Sequence, residues 1–183
     1  MSTLLKEYHK KPEQSHALMD RIAQAAIAFG KAQVAAGADA ICIAEPSGTG
    51  EILGPDFFRA YAVRYINQIL DAIKAPVSIV HICGRLKSVY AVLPELHCDV
   101  FSFDSIVSMS ELKQILPNKA VMGNVSTHGI GTLPPARVAK LALNSQKKGA
   151  DIVAPACGLP TITPLKNVQA LVNAVKLSSE ITE

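Results

Sequence analysis

The chain has 183 residues, enough for one domain with a real core, and its 49% apolar and 18% charged composition argues against disorder. A net charge of +3 without a basic block, together with the absence of Trp, argues against a nucleic-acid partner. Mean hydropathy is high at +0.25, yet the most apolar stretch, residues 34–44, is interrupted by Asp39 and too short to cross a membrane.

Residues 1–12 carry Lys6, Glu7, Lys10 and Lys11 and lack an apolar run, so no secretory signal is expected there. Residues 12–36 read as a helix with Leu18, Ile22, Ala25, Ala26 and Phe29 as its apolar stripe and Gly37 as its terminator. A first strand, 40–44, is apolar enough to be buried on both faces, as in parallel sheets. The loop Glu45-Pro46-Ser47-Gly48-Thr49-Gly50 could cradle an anion, but it lacks the lysine of a phosphate loop, and a plain turn is the safer reading. A helix follows from about Pro55 to Lys74, with Phe58, Tyr61, Tyr65, Ile69 and Ile73 as its stripe. The β-branched run 76–80 forms a second strand and leads into His81-Ile82-Cys83-Gly84. Then come a short helix (87–96), a strand (99–103) ending at Asp104, and a short helix (109–116). A strand (120–124), a helix (134–148), a strand (151–155) delivering Cys157, and a last helix capped by Thr163 and reaching Ser178 complete the chain. Such alternation implies five parallel strands with right-handed crossovers.

The strands are apolar, but each ends in a side chain capable of chemistry: Glu45, His81 with Cys83, Asp104, Asn124, and Cys157. In parallel α/β folds the carboxyl ends of the strands form the active face. Side chains at i and i+2 of a strand share a face, so His81 and Cys83 aim an imidazole and a thiol at one point. That donor pair suits Zn²⁺, and Cys157, at another strand end, is the natural third ligand. Three protein ligands leave a position open, with Asp104 or Glu45 placed to fill it. The plainer reading of a free cysteine is a small buried hydrophobe, and it is preferred for Cys42 and Cys98. The four cysteines form no disulfide framework, which makes the cytoplasm the expected compartment. His9, His16 and His97 read as surface residues, and His128 as a rim residue facing solvent or serving the site.

These motifs resemble a known family. Glu45-Pro46-Ser47, His81-Ile82-Cys83-Gly84, Asp104, Gly123-Asn124-Val125-Ser126, Cys157-Gly158-Leu159-Pro160 and Thr163-Pro164-Leu165-Lys166-Asn167 occur in the order found in the uroporphyrinogen decarboxylase superfamily. Within it they are most similar to the zinc-containing methylcobamide:coenzyme M methyltransferases of methanogenesis. The likeness runs from about His16 onward. It implies a metal site of His81, Cys83 and Cys157 holding zinc, with a thiol substrate such as coenzyme M at the open position. It further implies a methylated corrinoid (methylcobamide) as methyl donor, presented by a corrinoid protein. Asp104 and Glu45 become the catalytic candidates, and Asn124 and Arg85 the candidates for binding the corrinoid cofactor. Glu45 stands where an Asp is frequent in relatives. Arg85 replaces a small polar residue, and it either meets an anionic substrate tail or corrinoid phosphate or is a solvated loop residue. Two other readings remain open: a corrinoid-linked methyltransferase with a pterin acceptor, and a non-catalytic barrel fragment.

The resemblance implies an eight-stranded (β/α) barrel, of which only five strands are expected here. The expected fold is therefore a partial TIM-type barrel lacking its N-terminal strands, with residues 1–183 as a single domain forming the C-terminal portion. A homo-oligomer or a partner chain would then complete it.

Overall fold

A computed structural model describes the backbone of residues 2–46 and 50–180. Five strands form one sheet in the order β1-β2-β3-β4-β5, every neighbouring pair parallel: β1 (Ala40–Glu45), β2 (Val77–Ile82), β3 (Val100–Phe103), β4 (Ala120–Val125) and β5 (Ile152–Pro155). Helices α1 (Ser2–Lys10) and α2 (Pro12–Ala35) precede β1. Between β1 and β2 run α3 (Gly50–Phe57), a π-helical segment (Phe58–Val63) and α4 (Arg64–Ile73). Helix α5 (Met109–Ile115) joins β3 to β4, α6 (Thr127–Thr132) and α7 (Pro135–Lys147) join β4 to β5, and α8 (Leu165–Glu180) follows. Sequential order without reversal, with all strands parallel, is the arrangement of a barrel wall, here part of one.

The core lies on the helix-covered face of the sheet. Val80 and Ile82 of β2, Phe101 and Phe103 of β3 and Val121 of β4 are each fully buried against Phe58, Leu93 and Leu112. Each such side chain contributes roughly 1.5–3 kcal/mol through burial. A second cluster packs Ala23 and Ile27 of α2 on Ile41, Tyr61 and Tyr65, and a third packs Val125, Ile130, Val138 and Ala142 on Leu171 of α8. Gly37 ends α2 with φ 99°, the left-handed conformation its position anticipated.

Several expectations give way. Of β1 only Ile41 is buried, so the strand is covered on its helix side alone, and Cys42 is exposed rather than buried. The Leu18, Ile22 and Phe29 stripe of α2 is exposed, because the helix packs through Ala23, Ile27 and Gly30 instead. The helix expected over 87–96 is two 3₁₀ turns, Lys87–Val89 and Leu93–Glu95, with Pro94 inside the second. The one after Pro55 contains the π segment and is preceded by a kink at Gly54. Thr163 does not cap α8, since its buried Oγ1 makes no hydrogen bond. His16 is half-buried, with Nδ1 2.9 Å from the Tyr65 hydroxyl and its ring stacked on Tyr61. Cys98 is buried as expected. Helices α1 and α6 have no counterpart in the sequence reading, and the anion-cradle reading of Ser47, Gly48 and Thr49 falls outside the described residues. Among those residues no helix is long and apolar enough to cross a membrane.

Candidate metal centre

Strand β2 carries His81 out to the carboxyl end of the sheet, and Cys83 follows one residue beyond the strand. Gly84, with φ 80°, then turns the backbone away in a conformation other residues rarely adopt. The loop after β5 brings in Cys157, which is exposed, while His81 and Cys83 are half-buried. His81 Nε2 lies 3.1 Å from Cys83 Sγ, and Cys83 Sγ lies 3.5 Å from Cys157 Sγ. One ligand atom from each of the three residues falls within 4.8 Å of the others. A tetrahedral zinc with bonds of about 2.0–2.3 Å separates its donors by roughly 3.4–3.8 Å, and the two contacts that Cys83 makes lie within a few tenths of an ångström of that spacing.

The electrostatics agree with that fit. Burial lowers the His81 pKa against the opposing pull of the Asp104 charge, which favours the neutral imidazole a metal requires. Burial, followed by the hydrogen bond and charge of Cys157 and the charge of Asp104, pushes the Cys83 thiol up to about 11. The Cys83 thiol thus resists ionising without a cation, and a divalent ion reverses the balance.

The other candidates separate. Asp104 is half-buried beside the centre: its Oδ2 accepts the Gly84 N–H at 3.2 Å and its Oδ1 the Ile106 N–H at 3.2 Å. Glu45 ends β1, its backbone in register with Ile82. The Asn124 side chain donates to the carbonyls of Asp104 (3.1 Å) and Val107 (2.9 Å), which holds the loop after β3 in place. Arg85 is exposed and lines a cleft of about 250 Å³ with Lys87, Tyr90, Ile106, Ser108 and Glu111. His128 is exposed on α6, and His97 pairs with Asp71 on the outer surface.

Two further residues, to which the sequence assigned no role, hold the site in place. Ser102 Oγ lies 2.9 Å from His81 Nδ1. Asn167 of α8, 2% exposed, donates to the carbonyls of Ile130 (2.7 Å) and Leu133 (2.9 Å), pinning the turn after β4 as Asn124 pins the one after β3. A polar residue inside an otherwise buried strand was the available signal for Ser102.

The family model for uroporphyrinogen decarboxylase (URO-D) matches residues 1–177. The chain belongs to this family. Its relatives include the methylcobamide:CoM methyltransferase MtaA of Methanosarcina barkeri, 31% identical over 170 residues, which are 90% of this chain and 49% of the relative. A uroporphyrinogen decarboxylase of Anaeromyxobacter dehalogenans is also 31% identical, over 172 residues, 91% of this chain and 49% of the relative. A solved methyltransferase from Methanosarcina mazei superposes with a TM-score of 0.90 at 28% identity, covering 97% of this chain and 53% of that one. The chain therefore spans about half the length of the family members it matches, and its five strands are a partial barrel of the family fold.

Proposed function

We propose that this chain carries the metal centre of a methyltransferase that moves a methyl group from a methylated corrinoid to a thiol such as coenzyme M. The observation that carries the reading is the convergence of His81 Nε2, Cys83 Sγ and Cys157 Sγ at one carboxyl rim. The methylcobamide:CoM methyltransferases among the relatives support the reaction class. The uroporphyrinogen decarboxylases found beside them leave the donor set to favour one activity over the other.

His81 binds through Nε2, as a neutral base; Cys83 and Cys157 bind as thiolates. Zinc, when bound, supplies a Lewis acid that keeps a substrate thiol deprotonated at neutral pH. Asp104, tied to Gly84 N–H, fixes the backbone just after Cys83 and puts a negative charge beside the donors. Exposed Cys157 leaves the centre open toward solvent, the side from which thiol and corrinoid approach. Glu45, Arg85 and Asn124 complete the rim, Arg85 facing anionic groups of substrate or corrinoid and Asn124 shaping the loop that bears Asp104. In the net reaction the thiol loses its proton, its sulfur takes the methyl group, and the corrinoid cobalt keeps the electron pair of the broken cobalt–carbon bond.

The open face of β1 supports a corollary: residues 1–183 form the C-terminal portion of a barrel whose other strands come from additional polypeptide. The corrinoid protein and part of the substrate surface would then meet a larger assembly than this sheet.

Elemental analysis and methyl transfer test the reading together. About one zinc per chain is expected, lost in Cys83→Ser and Cys157→Ser, with demethylation of methylcobalamin by a panel of thiols followed at the cobalt absorbance. A wild-type protein that takes up no zinc when supplied with it would overturn the proposal. Zinc uptake without methyl transfer to any thiol, once the barrel is complete, would favour the pterin acceptor or the non-catalytic fragment.

A further inference from the structure

Strand β3 is buried at all four positions, Val100, Phe101, Ser102 and Phe103, and Ser102 is the polar member, 6% exposed. Leaving a buried hydroxyl without a partner is destabilising, so the identity of its partner is informative. The β2–β3 register sets His81 opposite Ser102, and the contact is made to Nδ1, at 2.9 Å. The other ring nitrogen, Nε2, is the one at 3.1 Å from Cys83. Two residues on, just past the end of β3, comes Asp104, whose Oδ2 accepts the Gly84 N–H. Ser102 and Asp104 thus brace the imidazole and the backbone of His81-Ile82-Cys83-Gly84 from one neighbouring strand.

We infer that Ser102 is a positioning residue for the metal centre: its Oγ accepts the Nδ1–H of His81, which fixes the ring and leaves the Nε2 lone pair facing Cys83 and Cys157. This rests on the metal reading above. The physical basis is general. A ligating histidine offers its lone pair reliably only when the proton on the other nitrogen has a fixed acceptor, and losing that acceptor typically weakens metal binding by about 10–100-fold. A serine in this place holds the tautomer without adding a negative charge to a centre that already carries two thiols and the nearby Asp104.

The test compares wild type with Ser102→Ala and Ser102→Thr, the second keeping the hydroxyl on a side chain suited to a strand. Zinc affinity is measured by competition with a chromophoric chelator, and the His81 tautomer of the metal-free protein by ¹⁵N chemical shifts. The inference expects zinc affinity to fall roughly 10–100-fold in Ser102→Ala and to return within a few-fold of wild type in Ser102→Thr. It also expects His81 to be the Nδ1–H tautomer in wild type and Ser102→Thr, and a mixture in Ser102→Ala. Equal zinc affinity in wild type and Ser102→Ala, or an unchanged tautomer, overturns it while leaving the metal centre intact. Should wild type bind no zinc, the metal reading falls by itself, and the tautomer comparison still decides whether Ser102 orients the ring.

Discussion

The two ends of the sheet use polar side chains in opposite ways. At the amino ends, Asp99 Oδ2 accepts both the N–H (2.8 Å) and the hydroxyl (2.6 Å) of Ser78, tying β3 to β2. Asp151 accepts the Val121 N–H at 2.8 Å and pairs with Lys113, tying β5 to β4. The Ser78 hydroxyl and N–H hold the Asp99 carboxyl below its usual range; Asp151 is pushed up by burial but held down by Lys113 and Val121. At the carboxyl ends the shifts at the donor groups run the other way, with Cys83 raised and His81 lowered, both toward the uncharged form. One end satisfies its charges within the chain, and the other holds donor groups in their uncharged forms, the neutral imidazole ready to bind and the Cys83 thiol needing a cation to ionise. Polar residues at strand ends thus divide into those that stabilise the fold and those that retain capacity for a ligand.

The sharpest way to test that division starts from the carboxyl-end residues that do not belong to the donor set. Asn167→Ala removes two hydrogen bonds from a buried position and leaves two carbonyls unmatched, so urea unfolding should show a loss of about 2–3 kcal/mol with zinc stoichiometry unchanged. A loss of zinc on this substitution, well below the unfolding transition, would mean that scaffold and donor set cannot be separated. A smaller effect is expected at the other end of the sheet. Asp99→Ala should cost about 1 kcal/mol and leave zinc binding alone. Cys157→Ser should change the stability of the metal-free protein by less than about 0.5 kcal/mol while abolishing zinc binding. Interchanged outcomes for these two variants would erase the distinction between the ends.

Much of this was legible in the sequence because it depends on local rules. The strands stand out as β-branched and aromatic runs, and alternation with helices implies a parallel sheet whose carboxyl ends share one rim. The i, i+2 rule then pairs His81 with Cys83, and the rim adds Cys157. What the sequence hid depends on neighbours. Helix α2 has two apolar stripes, and the choice of Ala23 and Ile27 over Leu18, Ile22 and Phe29 is set by the helix and strand against it. Cys42 resembles any buried strand residue until the inner face of β1 proves open. The partner of Ser102 follows from cross-strand register, where a slip of one residue would turn its hydroxyl to the opposite face. Asn124 and Asn167 reach carbonyls 17–20 and 34–37 residues away, a span at which no local pattern speaks.

The smallest expected effect is in the pH dependence of the metal-free protein, measured as the thermal midpoint in the presence of a chelator. The lowered pKa values of Asp99 and Asp151 contribute stability that is present above the ordinary carboxylate value, about 3.9, and lost as pH falls below it. The lowered His81 value contributes stability present above about 6.5 and lost as pH falls through its folded value. Cys83 acts in the opposite direction: its contribution is complete below pH 9.0 and lost as pH rises toward about 11. The midpoint should therefore be highest between about pH 6.5 and 9, with each limb moving only a few degrees. Cys157→Ser takes away the sulfur that shares a hydrogen bond with Cys83 and the charge that opposes its ionisation, so the alkaline limb should become shallower and the acid limbs stay put. Asp99→Ala should flatten only the limb below about pH 3.9. An alkaline limb untouched by Cys157→Ser would assign the Cys83 shift to burial and the Asp104 charge. The two sulfurs would then be neighbours in space without acting on one another's protons, and the contrast between the ends of the sheet would rest on the surroundings of Cys83 and His81 rather than on the pairing of the thiols.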